Sequence, residues 1–452
     1  MMKRVLENLL SDKDFSEIIK GSGISLFLRF GGLAFGYALT LIIANWFGAK
    51  GLGDYVLAIT VLRLFALLAK SGLDTTAIRF IASFALQDKW TSIHYLRKQI
   101  IMILSVTSII CSLLMYFFAE PISILINLDV NLIHLNAFFV MPLTLFMLHY
   151  QSLRGLKRIA EFSFFYRMSQ ALFSIIFIII IYQFTTASQI PIYAYLISVL
   201  LAACFSYLSF IYWLKNISEG KESAELEIIK YSTLMKISIP LMFAQSVQFI
   251  MGWTDKLMLA NMTSPESVGI YFTAFKLSMF ATATLMAVNS ITSPKFAEMF
   301  SKDDLLGLKK LVCQSSKIIF WSSVPLIVIF FSAPEFFLGL FGEEFKIGVT
   351  AFIFLSCGSL VSSFSGSVGN LLQMTGNQNI FSLILFFGAL INVALNLILI
   401  PENNILTDYG ISGINGAAFA SMCSLSFWNL SMVFVVKKKF GFYSFYIPFI
   451  KR

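Results

Sequence analysis

The chain has 452 residues, of which 58% are hydrophobic and only 13% are charged. Soluble domains carry roughly 25% charged residues, so this composition excludes a cytosolic enzyme, a disordered protein and a secreted disulfide scaffold. The net charge of +9 would indicate a nucleic-acid partner for a soluble protein, but in a membrane protein Lys and Arg collect in cytoplasmic loops. We therefore expect an all-α, multi-pass integral membrane protein without a nucleic-acid partner.

Apolar segments long enough to cross a bilayer, about 20 residues each, occur twelve times. In chain order they are 22–46, 52–70, 99–119, 131–153, 161–183, 189–214, 234–260, 267–291, 313–332, 348–372, 379–400 and 412–436. Residues 1–20, which alternate charged and apolar side chains, predict a short amphipathic surface helix before the first span.

The basic residues predict the orientation of these spans. With a cytoplasmic N-terminus, 26 of the 33 Lys and Arg fall in segments inside the cell, two in external loops and five within helices. Cytoplasmic loops of membrane proteins carry such an excess of positive charge. We therefore expect both termini in the cytoplasm.

The two halves of the chain repeat each other. Gly53-Asp-Tyr-Val-Leu-Ala58 matches Gly269-Ile-Tyr-Phe-Thr-Ala274 at an offset of 216, and Thr76, Arg79 and Phe80 match Thr292, Lys295 and Phe296 at the same offset. With six spans in each half, this predicts a parallel repeat, and transporters open a central cavity between such halves. The predicted domains are an N-terminal lobe at 1–215, a polar cytoplasmic linker at 216–231 and a C-terminal lobe at 232–452.

At residues 48–80 the sequence reads GAKGLGDYVLAITVLRLFALLAKSGLDTTAIRF, and the second half contains WTDKLML, SVGIYFTAFKL, LFGEEFKIG and YGISGINGAAFAS. In order and spacing these segments resemble those of Wzx-type polysaccharide (O-antigen or teichoic-acid) flippases. That family belongs to the multidrug/oligosaccharidyl-lipid/polysaccharide exporter superfamily. Relatives often carry Lys or Arg in the turn between the tenth and eleventh spans, where this chain has Thr375-Gly-Asn-Gln-Asn379.

The resemblance implies that the protein moves an undecaprenyl-diphosphate-linked oligosaccharide from the cytoplasmic to the outer leaflet of the bacterial cytoplasmic membrane. It implies no chemistry on the glycan, so the protein would not be an enzyme. Lipid-linked oligosaccharide and membrane lipids are the expected partners, with polysaccharide polymerase and ligation machinery acting next. No cofactor is expected apart from a coupling ion, H⁺ or Na⁺.

Charged groups inside spans are costly and usually face a cavity. Five cations lie there, and we predict that they form a cationic substrate cavity: Arg29, Arg63, Arg167, Lys256 and Lys276. A diphosphate suits such a cavity, because the planar guanidinium of Arg donates two hydrogen bonds to a phosphate at once. Arg29 and Arg167 lie deep in their helices, whereas Arg63 is near enough to the inner helix end to reach the interface.

The buried anion Asp255 has two interpretations. It is adjacent to Lys256, so the two side chains point about 100° apart on a helix and do not pair face to face. Either each pairs with a different neighbouring helix, or Asp255 is a site for a coupling ion. Lys276 would bind glycan carboxylates or pair with Asp255.

Two other function classes stay open. A multidrug or cation antiporter of the same superfamily would require buried carboxylates, yet cations outnumber anions five to two within the spans. A membrane-bound polymerase or acyltransferase would require a large external loop or a catalytic His with a partner, and His149 is the candidate. The five cysteines have no metal-binding spacing, and we predict neither a metal site nor catalytic residues.

Overall fold

The computed structural model describes residues 13–219 and 226–446, with side chains from residue 27 onward except at 244, 247, 248, 251, 281, 283 and 290. Helices account for nearly all of this part, and it contains no β-strand. This confirms the predicted all-α fold. The amphipathic helix predicted for 1–20 lies mostly outside the described residues, and from Lys13 the chain is already part of the first long helix.

Eighteen α-helices follow one another along the described chain. In the first half they are α1 Lys13–Lys70, α2 Leu73–Leu86, α3 Trp90–Phe117, α4 Ala119–Ile126, α5 Val130–Ala137, α6 Val140–Gly155, α7 Ile159–Ser163, α8 Gln170–Tyr182 and α9 Ile190–Ser218. In the second half they are α10 Tyr231–Met262, α11 Pro265–Ser278, α12 Ala283–Ser301, α13 Leu305–Ser332, α14 Pro334–Gly339, α15 Val349–Ser365, α16 Val368–Met374, α17 Gln378–Leu399 and α18 Gly413–Phe440. A π-helical turn, Phe164–Ser169, joins α7 to α8, and short 3₁₀ segments occupy Met279–Thr282, Glu343–Gly348 and Thr407–Tyr409.

Each of the twelve predicted spans falls in one or more of these helices. Among the described residues, eight helices are long and apolar enough to cross a membrane, or nine when α5 and α6, which are bent by 48°, count as one span. The helix counted from Phe27 to Lys70 holds two predicted spans. They meet at Gly48, whose backbone (φ 72°, ψ −177°) breaks the helix in a conformation that favours glycine.

The outer surface of the helices is apolar, as expected for a chain in lipid. On α3, for example, Met102, Ile109 and Phe117 are each more than half exposed. Within a core of mainly apolar buried side chains, polar groups also bond between helices: Ser108 bonds to Thr144 at 2.9 Å and Ser174 to Ser198 at 3.1 Å. Small side chains and interhelical hydrogen bonds hold helices together where no hydrophobic force exists between them. The protein is a multi-pass membrane protein.

The helices pack into two compact units. Unit 1 comprises Met1–Phe47 and Leu57–Ile250, and unit 2 comprises Gly48–Val56 and Met251–Arg452. Unit 1 extends past the predicted linker because the first part of α10 packs on α2, where Ser238 Oγ lies 2.7 Å from Thr76 Oγ1. The domain boundaries at 1–215, 216–231 and 232–452 concern the repeat in sequence and stay a prediction; linker residues 220–225 lie outside the described part.

Two glycines that the sequence pairs at an offset of 216 lie against each other in unit 2. A β-carbon on Gly53 would lie 1.8 Å from the carbonyl oxygen of Pro265, and one on Gly269 would lie 2.1 Å from that of Ala49. Ala49 and Pro265 are themselves 216 residues apart, so the contact is reciprocal. A two-fold repeat produces such a contact, in which residue i meets j and the equivalent of j meets the equivalent of i.

The second pair of matching segments also has the same local structure. The hydroxyl of Thr76 donates to the carbonyl of Gly72 at 3.2 Å, and that of Thr292 donates to the carbonyl of Val288 at 3.0 Å. The cation three residues further on is exposed in both segments.

Candidate functional site: buried charges in each unit

Arg29 and Arg167 come together in unit 1. Arg29 lies on α1, and Arg167 lies on the π-helical turn between α7 and α8. The two elements touch, since a β-carbon on Gly32 would lie 2.8 Å from the carbonyl oxygen of Arg167. Arg29 precedes Gly32 by three residues on α1, so both cations lie beside this contact.

Neither guanidinium is neutralised within the described part of the chain. No ion pair there involves Arg29 or Arg167, and the guanidinium of Arg167 lies 5.3 Å from the ring of Tyr166. Arg167 is exposed and Arg29 half-buried. Two cations held side by side without a carboxylate attract an anion. π-Helical turns also occur frequently at functional sites.

Arg63 belongs to a separate polar network in unit 1. Its Nε donates to the hydroxyl of Tyr195 at 3.3 Å, and its Nη2 donates to Oε1 of Gln170 at 3.2 Å. Gln170, the residue directly after the π-helical turn, also donates to the hydroxyl of Tyr195 at 3.2 Å. These partners hold Arg63 in a half-buried position.

The two predicted lysines of unit 2 lie among aromatic rings. Lys256 is 2% exposed, and its ammonium donates to the carbonyl of Gly252 at 2.6 Å. The same ammonium lies 4.7 Å from the ring of Trp253 and 4.5 Å from that of Phe275. Lys276 is half-buried, with its ammonium 5.6 Å from the ring of Phe272. Cation–π contacts of this kind stabilise a cation away from water.

Asp255 is buried and accepts three hydrogen bonds from neutral groups on three other helices. Tyr271 on α11 donates its hydroxyl at 2.7 Å, Asn396 on α17 donates its amide at 2.7 Å, and Ser421 on α18 donates its hydroxyl. A buried carboxylate needs such donors to offset its desolvation. Asp255 therefore meets neighbouring helices, as one of its two interpretations expected, while Lys256 bonds within its own helix.

The donor set around Asp255 suits a small hard cation. Oδ1 of Asn396 is buried without a hydrogen-bond partner among the described residues, and Asn392 lies beside Asn396, with their side chains 3.2 Å apart. Carboxylate, amide and hydroxyl oxygens are ligands that hard cations prefer. In the described part of the chain no three His, Cys, Asp or Glu side chains cluster as a metal site.

Five partners of these charges were not predicted from the sequence: Gln170, Tyr195, Tyr271, Asn396 and Ser421. One signal was present for Asn396, because Asn392 and Asn396 stand four residues apart in the otherwise apolar helix QNIFSLILFFGALINVALNLIL. Residues at i and i+4 share a helix face. Tyr271 could have been noticed in the repeated G-x-Y pattern, but nothing in the sequence indicated that it faces Asp255.

Residues 18–300 match the family model described as polysaccharide biosynthesis protein, which is more than half of the chain. The chain belongs to this polysaccharide biosynthesis protein family. Residues 240–398 also match the MatE model. The predicted resemblance to flippases of the exporter superfamily is thereby confirmed at the level of the family.

Two curated relatives have low identity to the chain. An uncharacterized membrane protein of Methanocaldococcus jannaschii is 23% identical over 426 residues, covering 86% of this chain and 79% of the relative. The capsular polysaccharide biosynthesis protein CapF of Staphylococcus aureus is 24% identical over 183 residues, covering 40% of this chain and 46% of CapF.

Solved structures show the same fold. An inward-facing multidrug resistance MATE family transporter of the MOP superfamily superposes with a TM-score of 0.72 at 11% identity, covering 89% of this chain and 94% of the transporter. The lipid II flippase MurJ in an inward closed conformation gives a TM-score of 0.67 at 18% identity, with 93% and 87% covered. Both of these proteins are a transporter or a flippase by name, and the chain shares their fold.

Proposed function

We propose that this protein moves an undecaprenyl-diphosphate-linked oligosaccharide from the cytoplasmic to the outer leaflet of a bacterial cytoplasmic membrane, for the synthesis of a surface polysaccharide. It would do so by alternating access, without altering the glycan. Enzymes that polymerise the repeat units and attach the polymer would act next. Membership of the polysaccharide biosynthesis family and the likeness to the capsular protein CapF support the polysaccharide part of this proposal.

The observation that carries the proposal is the pair Arg29 and Arg167. A diphosphate brings two or more negative charges, and two adjacent guanidinium groups can bind it through several charge-assisted hydrogen bonds. Arg63, Lys256 and Lys276 would contribute further positive charge along the path. The polyprenyl tail would stay in lipid, since burying it in a charged cavity would cost free energy.

Energy for transport would come from the gradient of a cation that binds at Asp255. We propose Na⁺ or H⁺ as the coupling ion, held by the Asp255 carboxylate with the oxygen atoms of Asn396, Ser421 and Tyr271. Binding there would neutralise the one buried carboxylate among the six predicted site residues. The unpaired Oδ1 of Asn396 supports a cation at this place.

A multidrug antiporter is the second candidate, and Asp255 is the observation that favours it. The match to the MatE model includes this residue, and a buried carboxylate can bind a cationic drug. The similar transporter from Pyrococcus furiosus, with a TM-score of 0.62, is described as having a binding pocket of reversed polarity that suggests a different function. A cationic site in this chain would favour an anionic substrate over a cationic drug.

The experiment compares lipids and surface glycan in a deletion strain complemented with wild type, Arg29→Gln, Arg167→Gln or Arg79→Gln. We expect the deletion to accumulate lipid-linked repeat units and to lose surface polymer. Losing a charged hydrogen bond costs roughly 1.5–3 kcal/mol, so each cavity variant should export about 10- to 100-fold more slowly. The exposed Arg79 provides the control, whose variant should export like wild type.

Protein levels in the membrane are measured in parallel, so that loss of transport is separated from loss of folding. Full export by both cavity variants would contradict the cationic site. Normal surface glycan in the deletion strain, together with altered tolerance to cationic drugs, would instead support the antiporter.

A further inference from the structure

An open groove of about 490 Å³ lies at the start of α3, apart from all six predicted site residues. Its basic side chains are His94, Arg97 and Lys98, and Leu226, from the segment before α10, also lines it. None of the described residues that line the groove is acidic. Its size is within the range of small-molecule sites.

Three contacts fix the segment before α10 against α3, so the groove has a defined second wall. Lys89 Nζ lies 2.5 Å from Oε2 of Glu227, and the backbone N–H of Glu227 donates to Ser92 Oγ at 2.8 Å. Gln99 Nε2 donates to the carbonyl of Ile229 at 3.0 Å. Lys89 therefore neutralises Glu227, the described carboxylate closest in sequence to Leu226.

Arg97 is held beside two aromatic rings and has one hydrogen-bond donor that is unused among the described residues. Its guanidinium lies 5.0 Å from the ring of Tyr207 and 5.8 Å from that of Phe210, both on α9. Its Nε is buried without a hydrogen-bond partner among the described residues, and it forms no ion pair there. Arg97 is half-buried, and a partly desolvated guanidinium with an unused donor is a favourable site for an anion.

An apolar stripe leads away from the groove along α3. It begins at the exposed Lys98 and continues at helical spacing through side chains that are each at least half exposed, namely Met102, Val106, Ile109 and Leu113. A ligand with a charged head at Lys98 and hydrocarbon chains along the stripe would match both surfaces. Inorganic phosphate would use only the first of them.

We propose that this groove binds the phosphate headgroup of an anionic membrane lipid, with its acyl chains along the α3 stripe. Basic pockets at the cytoplasmic ends of spanning helices bind such headgroups, and the charge distribution predicts that the start of α3 is cytoplasmic. Bound lipid would join α3 to the wall that leads into α10. The site is separate from substrate transport and does not depend on the proposed substrate.

The test titrates the purified full-length protein in a neutral detergent with phosphatidylglycerol, or with phosphatidylcholine of the same acyl chains, and counts bound lipid by native mass spectrometry. We expect tighter binding of phosphatidylglycerol. Lys98→Gln should weaken it about fivefold, since one cation near a lipid headgroup contributes roughly 1 kcal/mol. Lys98 is exposed, so its variant should fold normally.

Lys309→Gln is the matched control, because Lys309 is exposed near the start of α13 and is also predicted to be cytoplasmic. It should leave the affinity for phosphatidylglycerol unchanged, and Arg97→Lys should weaken it by removing the planar fork while keeping the charge. Equal binding of the two lipids, or an equal loss in Lys309→Gln, would overturn the proposal. Displacement of the lipid by inorganic phosphate would assign the groove to a soluble phosphate instead.

Discussion

Asp255 and Lys256 are neighbours in the sequence with different surroundings. The carboxylate is held by donors from α11, α17 and α18, whereas the ammonium bonds to its own helix and lies between aromatic rings. Consecutive helical side chains diverge by about 100°, so each must meet its desolvation cost separately. None of the three groups that donate to the Asp255 carboxylate is a cation, so its burial costs free energy. This cost is the reason to expect that Asp255 has a function.

Replacing Asp255 by Asn should stop ion-coupled transport and leave the fold intact. The amide has nearly the same shape and can still accept from Tyr271 and Ser421, but it lacks the charge that would hold a cation. Coupling free energies of 1–3 kcal/mol are typical, so we expect surface glycan export to fall by about 5- to 150-fold. Export is measured in the complemented deletion strain.

Asp408→Asn is the control, because Asp408 is exposed in a loop. Melting temperatures in sodium chloride and choline chloride identify the ion, since a cation that binds only the folded protein raises its stability. Stabilisation by sodium in wild type but not in Asp255→Asn would identify Na⁺. Wild-type export by Asp255→Asn would contradict the coupling role.

His149 was the candidate for an acyltransferase, and its surroundings do not support that chemistry. It is buried, and neither ring nitrogen has a hydrogen-bond partner among the described residues. Its ring lies 5.2 Å from that of Tyr207, measured between the ring centroids. A catalytic His needs a group that orients its ring and sets its tautomer, and no such group contacts His149 in the described part of the chain.

The turn between the tenth and eleventh spans gains a cation from elsewhere in the chain. Lys439, at the end of α18, donates to the side chain of Asn377 in this turn. The turn TGNQN contains no basic residue of its own. A positive charge is therefore present at the same place by tertiary contact, which sequence reasoning about the turn alone could not find.

At the scale of helices, the crossing of Gly53 and Gly269 is the feature most sensitive to a single carbon atom. Because a β-carbon on either glycine would lie near 2 Å from a carbonyl oxygen, the two backbones must separate to admit it. Overpacking of this kind costs about 1–3 kcal/mol. We expect Gly53→Ala and Gly269→Ala each to lower the melting temperature of the purified protein.

Gly252→Ala is the matched control, since Gly252 also lies in a helix but the added carbon would meet no atom within 4 Å among the described, non-adjacent residues. In this position alanine should stabilise the helix by roughly 0.5–1 kcal/mol. If Gly252→Ala lowered the melting temperature as much as Gly53→Ala does, the loss of stability would come from alanine in a helix interior and not from the crossing.

At the scale of the whole molecule, the distribution of Lys and Arg predicts which loops face the cytoplasm. Cysteine labelling in intact cells tests this, in a variant whose five native cysteines are replaced by serine. A membrane-impermeant maleimide should label Ile405→Cys, which is 85% exposed in a predicted external loop. Lys309→Cys should be labelled only after the membrane is permeabilised, because its loop is predicted to be cytoplasmic.

The same two variants in permeabilised cells provide the control, since both positions are exposed and should then react equally. Labelling of Lys309→Cys in intact cells, with protection of Ile405→Cys, would reverse the predicted orientation. It would then place the groove at the start of α3 on the outer face.

The sequence by itself determined the helical, membrane-spanning character, the positions of the spans and the family. A spanning helix requires about 20 consecutive apolar residues. This requirement is local, so it can be recognised directly in the sequence. The repeat at an offset of 216 residues could also be recognised in the sequence, because its glycine and tyrosine recur in the same order. Only the tertiary structure decided what each buried charge meets.

Asp255 and Ser421 are 166 positions apart, and Arg29 and Arg167 lie on different helices. The backbone N–H of Ala49 donates to the side chain of Glu344, 295 positions away, and no pattern in the sequence predicts this bond. The rotation of each helix about its axis determines these contacts. This rotation is set by packing against neighbouring helices, and the order of residues along the chain does not show which helices are neighbours.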